Sequence, residues 1–193
     1  MLLKETALLR LVGLRVPMLL FLGPRVLELD DDRCAIEIPL GWRSKNHLIG
    51  AMYFGALCAG ADLAGGMPAA RLIAKHRDLR LVFGEMKAEF LKRADGDVVF
   101  RSKDARRVAD AAREAVRTGE RVSAPVEVIA TVPSRYGDEP VARFQMTISL
   151  KVKSASRAAS EEAAGAQRAR AAAAAKAGAE ARGGREAARS DAR

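Results

Sequence analysis

The sequence predicts an α+β domain in which an antiparallel sheet wraps around one buried helix. Three observations support this prediction. A long apolar segment, Asn46–Ala74, has the length of a helix, and between Leu48 and Ala70 its one charged side chain is Asp62. Segments on either side of it alternate apolar and polar residues, as half-buried strands do. An acidic turn at Asp30–Asp32 joins the first two of these segments, as in a β-hairpin.

Residues 1–22 are rich in leucine and predict a helix that ends near Leu14, followed by a short second piece, because Pro17 interrupts the pattern. Charged residues break the apolar run and no small-residue cleavage pattern follows it, so a signal peptide is not indicated. The alternative is an interfacial membrane helix with its arginines at the lipid headgroups. We favour a helix that packs on the domain.

The hairpin is expected within Arg25–Leu40, and a polar loop at Trp42–Lys45 leads from it to the central segment. We expect the central helix to begin near Asn46. Its apolar part is long enough to cross a membrane. Five glycines, Pro68 and the central Asp62 argue against a membrane span, so a buried helix in a soluble protein fits better.

The second half of the domain predicts four strands and a helix. In the first strand Met86, Ala88 and Phe90 alternate with charged residues, so we expect one face to be covered and the other to be in solvent. The helix has a narrow apolar stripe opposite a row of arginines, and Gly119 is placed to end it. The predicted segments are the strands Leu79–Arg93, Asp97–Arg101, Arg121–Val132 and Val141–Lys153 and the helix Lys103–Thr118.

Residues 154–193 consist almost entirely of Ala, Arg, Glu, Gly and Ser and contain no large apolar residue for a core. We therefore divide the chain into an N-terminal helical segment, 1–22, a folded domain, 23–153, and a low-complexity tail that is disordered or a frayed helix. The tail has 8 basic and 5 acidic residues, so it accounts for +3 of the net charge of +9. The remaining +6 is dispersed over the domain, which is a weak indication of nucleic-acid binding.

Cys34 and Cys58 fall in a predicted strand and in the buried helix, so reduced thiols in a cytoplasmic protein are expected rather than a disulfide. The histidines are His47 and His76. Neither residue type has the spacing of a metal site, and no metal is expected.

Asp62 is the strongest functional candidate. On a helix its neighbours one turn away are the small residues Cys58, Ala59, Gly65 and Gly66, which would let a ligand or another backbone approach the carboxylate. The alternative is a structural carboxylate that accepts hydrogen bonds from backbone N–H groups.

The order of elements and the motif Asn46-His47-Leu48-Ile49-Gly50, followed by Tyr53-Phe54-Gly55-Ala56-Leu57 and Ala61-Asp62-Leu63-Ala64, resemble the hot-dog superfamily. Within it, the chain resembles a bacterial domain family of unknown function related to the phenylacetic-acid-degradation acyl-CoA thioesterases. The resemblance covers residues 20–153. It implies a sheet around a long central helix, with an added N-terminal helix and a helix inserted between strands.

The resemblance also implies a homodimer or a dimer of dimers that hydrolyses an acyl thioester, with coenzyme A present only as part of the substrate. Asp62 is then the general base or nucleophile, and Asn46 is a second catalytic candidate near the loop that orients substrate or water. The implied substrate-binding residues are His47, Gly50, Tyr53, Phe54, Gly55, Gly65 and Gly66. Tyr53 and Phe54 stand where the phenylacetate-type relatives have a histidine and the first glycine of a pair.

Three further interpretations follow from the residues. Arg106 and Arg107 could receive coenzyme A phosphates, since guanidinium groups suit such contacts, although a solvated face is the more common role. A non-catalytic acyl-CoA or lipid-binding module on the same fold is the alternative function. A basic nucleic-acid or membrane-surface protein is a third interpretation that the sequence favours less.

Overall fold

The computed structural model describes residues 16–76 and 78–153, which form four helices and eight strands. The helices are α1 Pro17–Phe21, α2 Phe54–Lys75, α3 Ala105–Thr118 and α4 Pro133–Tyr136; the strands are β1 Arg25–Leu29, β2 Cys34–Ile38, β3 Lys45–Asn46, β4 Ala51–Met52, β5 Leu79–Phe90, β6 Val98–Ser102, β7 Val122–Thr131 and β8 Pro140–Val152. The helix expected to end near Leu14 and the tail 154–193 lie outside the described residues. The short second piece predicted after the proline is α1, with Pro17 in its first turn.

Six of the strands form one antiparallel sheet in the order β1-β2-β6-β7-β8-β5. The predicted hairpin is β1 and β2, and the predicted α+β architecture is confirmed. Helix α2 packs across the sheet and α3 packs beside it, and the buried apolar residues of both helices belong to one core. Strands β1 and β5 form the two edges of the sheet.

The glycines of α2 bring the helix close to the sheet at two points. A Cβ on Gly60 would lie 2.3 Å from the ring of Phe100, and a Cβ on Gly65 would lie 2.8 Å from the Cε atom of Met146. Phe100 is fully buried and Met146 nearly so. A side chain at position 60 would therefore push the helix away from the sheet, whereas at position 65 the end of the flexible Met146 side chain would have to move.

Strand β5 contains a β-bulge that keeps its apolar side chains on one face. The register with β8 shifts between Phe83, which pairs with Ile148, and Glu85, which pairs with Thr147. Gly84 is thus an extra residue, and it reverses the alternation of the strand. The apolar residues before and after the bulge consequently share the inner face of the sheet: Leu79, Leu81, Phe83, Met86, Ala88 and Phe90.

The inner face of β5 is less covered than the alternation predicted. Met86 is 37% exposed and Phe90 is 50% exposed, so the expectation of a covered face is wrong at these two positions. The reason is that, among residues 16–76 and 78–153, β5 is an edge strand with a neighbouring strand on one side only. Phe90 touches the core at its margin, where its ring meets that of Phe144 edge-on at 6.0 Å.

The central helix begins at Phe54, eight residues later than predicted. The residues before it form the small β3–β4 hairpin, in which the Gly50 N–H donates to the Asn46 carbonyl at 2.9 Å. Gly50 has a φ of +70°, a conformation that glycine adopts without strain. Leu48 and Ile49 are exposed at the tip of this hairpin, so apolar residues that resembled helix are in fact part of a turn.

Pro68 lies inside α2 without ending it. Proline removes one backbone hydrogen bond from a helix interior. The neighbouring Met67, Ala69 and Ala70 are buried in the core, and that burial offsets the lost bond. Within residues 16–76 and 78–153, no helix combines the length and the hydropathy required to span a membrane.

Candidate functional site

Asp62 lies on a side of α2 that is partly exposed. The residues of this side are spaced by three or four positions and are each partly exposed, whereas most of the helix is buried; they are Gly55, Cys58, Asp62 and Gly66. Residues with this spacing share one helix face. The carboxylate is therefore reachable from one direction, along a strip of small side chains.

The surroundings of the Asp62 carboxylate are apolar. A Cβ built on Gly66 would lie 3.8 Å from Asp62 Oδ1, 3.7 Å from Phe83 Cζ and 4.0 Å from Leu81 Cδ1. Both Phe83 and Leu81 belong to the inner face of β5. Asp62 consequently faces the edge of the sheet at β5.

Burial raises the pKa of Asp62 from 3.8 to about 6. The cause is desolvation, since removing a carboxylate from water disfavours its charged form. Among the described residues, no hydrogen-bond donor or cation contacts this carboxylate. The alternative of a structural aspartate held by backbone N–H groups thus finds no support in the described part of the chain. A carboxyl group that titrates near neutral pH is suited to accepting a proton from water.

The first turn of α2 presents unpaired backbone donors. Ala56 and Leu57 donate to the Tyr53 carbonyl at 2.9 and 3.1 Å. The N–H groups of Phe54 and Gly55 find no acceptor among the described residues, as is usual at a helix start. These two donors, together with the helix dipole, favour a carbonyl oxygen that gains negative charge.

Two aromatic rings flank this helix start. The ring of Tyr53 lies over Gly55, where a Cβ would come within 2.5 Å of Tyr53 Cε1. The rings of Tyr53 and Phe54 meet edge-on with centroids 4.9 Å apart, and both side chains are about half exposed. Gly55 thus accommodates the Tyr53 ring, and a substrate approaching the free donors would meet aromatic surface.

Asn46, His47 and Gly50 lie in the β3–β4 hairpin and not at the helix start. The Asn46 side-chain oxygen accepts a hydrogen bond from the Leu48 N–H at 3.0 Å, and the His47 side chain is exposed. The turn around Gly50 separates His47 from Phe54, because the helix begins eight residues later than predicted. The hairpin is nevertheless joined to the helix start, since the Tyr53 N–H donates to the Ser44 carbonyl at 2.8 Å.

Asp62 and the free donors at Phe54 and Gly55 cannot act together within one copy of the chain. Eight residues separate Phe54 from Asp62 along one helix. At 1.5 Å per residue they are roughly 12 Å apart along its axis. A single thioester group is much smaller than this separation.

The two glycines after Asp62 have different surroundings. Gly65 faces the sheet and its closest contact is Met146, so it serves helix packing. Gly66 faces Asp62 and β5 and is partly exposed. Of this predicted pair, only Gly66 lies beside the carboxylate.

Arg106 and Arg107 are each paired with an aspartate. Arg106 donates two hydrogen bonds to the Asp32 carboxylate, at 2.7 and 3.1 Å. Arg107 donates to Asp104 at 2.6 Å and to the Pro125 carbonyl at 3.3 Å. A coenzyme A phosphate would have to compete with these carboxylates, so the phosphate role stays a prediction.

Trp42 and the cysteines lie apart from this chemistry. Trp42 is 73% exposed and its ring meets Phe21 edge-on at 5.6 Å. Cys34 and Cys58 are both free, and burial raises the pKa of each thiol. In residues 16–76 and 78–153, no three His, Cys, Asp or Glu side chains are grouped as a metal site would require.

Sequence reasoning missed Leu81 and Phe83, which line the approach to Asp62. A signal for them exists in the sequence, because the apolar alternation of Leu79, Leu81 and Phe83 changes phase across Gly84. A phase change of this kind at a glycine is typical of a bulge, and bulges often lie beside functional sites.

Solved structures share this architecture, and they define the chain as a hot-dog fold protein. A protein of unknown function and probable thioesterase from Pseudomonas aeruginosa is 24% identical, with a TM-score of 0.58 over 76% of this chain and 95% of its own. A mutant thioesterase from the same organism is 17% identical, with a TM-score of 0.54 over 77% and 92% of the two chains. A thioesterase from Haemophilus influenzae is 14% identical, with a TM-score of 0.52 over 69% and 82%.

The chain belongs to the family described as Domain of unknown function (DUF4442), whose model matches residues 4–150. The expected family and hot-dog fold are therefore confirmed. A search of the curated proteins gave no match.

Proposed function

We propose that this protein hydrolyses acyl thioesters such as acyl-coenzyme A, with Asp62 as general base or nucleophile at a site between two copies of the chain. The observation that carries the proposal is the Asp62 carboxylate, which has no partner among the described residues and whose pKa burial raises to about 6. It faces apolar side chains of β5 and is reachable from one side. The similarity to thioesterase structures gives this chemistry its precedent.

In the general-base route, Asp62 takes a proton from a water molecule as the water oxygen attacks the thioester carbonyl carbon. The carbonyl oxygen becomes an oxyanion, which N–H groups such as those of Phe54 and Gly55 would stabilise. The carbon–sulfur bond then breaks, and the thiolate receives the proton from Asp62. The products are a carboxylic acid and a free thiol. In the nucleophilic route, Asp62 attacks the carbonyl carbon and the carbon–sulfur bond breaks, which releases the thiolate and leaves an anhydride. Water then cleaves the anhydride to the carboxylic acid, which restores Asp62 and supplies the proton that the thiolate takes up.

Two copies are proposed because one copy separates the carboxylate from the donors by roughly 12 Å along the helix. In the described part of the chain, the twelve-residue strand β5 forms an unpaired edge of the sheet, and Asp62 lies beside it. Unpaired edges readily accept another strand. Exposed apolar residues accompany this edge, namely Val82, Met86, Phe90 and Leu91. Pairing there could bring the helix start of one copy toward Asp62 of the other.

Asn46 and His47 would then act from the hairpin that adjoins the helix start. The Asn46 side-chain NH₂ group remains available to a ligand, because the Leu48 N–H engages only its oxygen. Gly50 shapes the turn that presents both residues. Arg106 and Arg107 are kept as phosphate candidates of lower rank, since Asp32 and Asp104 hold them.

Asp62→Asn should preserve folding and self-association but reduce thioester hydrolysis by about 10² to 10⁴-fold, because the amide cannot accept a proton or attack. Thiol release from a panel of acyl-coenzyme A esters measures the effect. Asp138→Asn, in the exposed turn before β8, is the matched control for losing one carboxylate. Full turnover by the Asp62 variant would refute the catalytic role.

A non-catalytic acyl-CoA or lipid-binding module is the second candidate function. The observation that favours it is the Tyr53 ring, which covers Gly55 where a carbonyl would approach the free donors. Tight binding of acyl-coenzyme A by the wild-type protein without thiol release would establish this alternative.

A further inference from the structure

The interior glycines of α2 differ in what they do for packing. Gly60 leaves no room for a side chain, because a Cβ there would lie 2.3 Å from the buried ring of Phe100, whereas at Gly65 the nearest atom to a Cβ is the flexible Cε end of Met146, at 2.8 Å. At Gly66 a Cβ would have ordinary van der Waals contacts, the nearest at 3.7 Å from Phe83. Its backbone is not in the left-handed region either. Neither packing nor conformation thus requires glycine at position 66.

Glycine in the middle of a helix is nevertheless destabilising relative to alanine. Glycine at position 66 therefore lowers the stability of the helix, and packing does not require it. Loss of stability without a structural benefit is typical of residues that serve function. The space that glycine leaves open lies beside Asp62 Oδ1, and its walls are Phe83 and Leu81.

We propose that Gly66 determines which acyl groups can reach Asp62, by leaving room for the carbons that adjoin the thioester carbonyl. This inference rests on the proposed thioester site. Phe83 and Leu81 offer hydrocarbon surface and no polar group, so the acyl group is apolar next to its carbonyl.

The test compares Gly66→Ala with the wild type on four probes: acetyl-, butanoyl-, 2-methylpropanoyl- and benzoyl-coenzyme A. The added methyl group should reduce kcat/KM for the two probes that are bulky at the carbon next to the carbonyl by about ten-fold or more relative to acetyl-coenzyme A. The melting temperature should rise by roughly 2–4 °C, since alanine favours the helix. Gly60→Ala is the stability control and should lower the melting temperature, because its Cβ would lie 2.3 Å from the buried ring of Phe100.

A change that is equal for all four probes, or no change, would overturn the role of Gly66. The same probes are also titrated by calorimetry, so that failure of the hydrolysis proposal can be told apart. If the wild type binds the probes without releasing thiol, and Gly66→Ala loses the bulky ones selectively, hydrolysis is refuted and the role of Gly66 stands. Absence of both binding and hydrolysis for every probe would overturn both proposals.

Discussion

Asp62 illustrates how burial alone can prepare a side chain for proton transfer. Its carboxylate sits among Gly66, Leu81 and Phe83, and among the described residues it receives no hydrogen bond that would stabilise its charge. The pKa rises for this reason. Other aspartates of the same chain, such as Asp32 and Asp104, are instead paired with arginines. The contrast separates a carboxylate that holds elements together from one that remains free to react.

The raised pKa of Asp62 predicts how stability depends on pH. An acid with a higher pKa in the folded state binds more protons there, so the free energy of unfolding falls as pH rises from about 4 through about 6 and is constant above. The difference between 3.8 and about 6 corresponds to roughly 3 kcal/mol. Asp62→Asn should remove this loss, so it should match the wild type near pH 4 and exceed its stability by up to that amount near pH 7.5.

Urea unfolding of both proteins at several pH values measures this difference. Asp138→Asn, on the exposed turn, serves as the comparison for the charge change itself. A stability difference between Asp62→Asn and the wild type that is the same at every pH would contradict the assigned desolvation.

At the scale of elements, the glycines of α2 allow the helix to pack close to the sheet. Gly60 and Gly65 have no side chain, and Phe100 and Met146 occupy the space that a Cβ would need. Each glycine costs the helix about 1 kcal/mol relative to alanine. The burial of large side chains beneath the helix, at about 1.5–3 kcal/mol each, outweighs that cost.

Gly60→Ala should therefore destabilise the protein, although alanine is the better helix former. Its Cβ would lie 2.3 Å from the ring of Phe100, which is fully buried in the core. Overpacking of this kind typically costs about 1–3 kcal/mol. Thermal and urea unfolding measure the loss. A variant as stable as the wild type would show that the ring can be displaced at no cost.

Local patterns predicted most of these elements. Alternation gave the β1–β2 hairpin and the strands β7 and β8, and the arginine-rich amphipathic pattern gave α3, which Gly119 ends in the left-handed conformation. The start of α2 was not predictable in this way, because the exposed Leu48 and Ile49 of the hairpin turn have the composition of a buried helix. A turn with apolar residues is recognised by its backbone, which Gly50 determines, and not by hydropathy.

The candidate site was predicted in part. Asp62 could be identified because a charged residue in an apolar helix is rare. The face of the helix on which a residue lies depends only on local periodicity. Leu81 and Phe83 could not be assigned to it, because their approach depends on the bulge at Gly84 and on tertiary packing. Tertiary packing likewise separates Gly65 from Gly66, which are adjacent in sequence.

At the scale of the molecule, the β5 edge is the feature that the described residues leave unsatisfied. It has a hydrogen-bonded neighbour on one side only, and Met86 on its inner face is exposed. A second copy that pairs along this edge would cover both the backbone and the apolar side chains. The proposed function depends on that pairing, since it unites Asp62 with donors from another helix.

Met86→Lys should shift the protein toward monomers, because a charge on this apolar face resists burial. Light scattering after size-exclusion chromatography measures the change, and thioester hydrolysis should decline with it. Leu27→Lys, which also replaces an exposed apolar residue but on the opposite edge strand β1, is the matched control. Unchanged self-association in the Met86 variant would argue against an interface at β5.

The length of α2 between its first turn and Asp62 has a consequence for how the activity scales. Under the proposed pairing, an isolated chain carries two halves of different catalytic centres and no complete one. Activity then follows mass action: below the dissociation constant of the pair, the rate rises with the square of protein concentration, and above it the rate is proportional to concentration. Because the two groups are this far apart on one helix, the catalytic rate per chain would depend on the concentration of the protein in the cell.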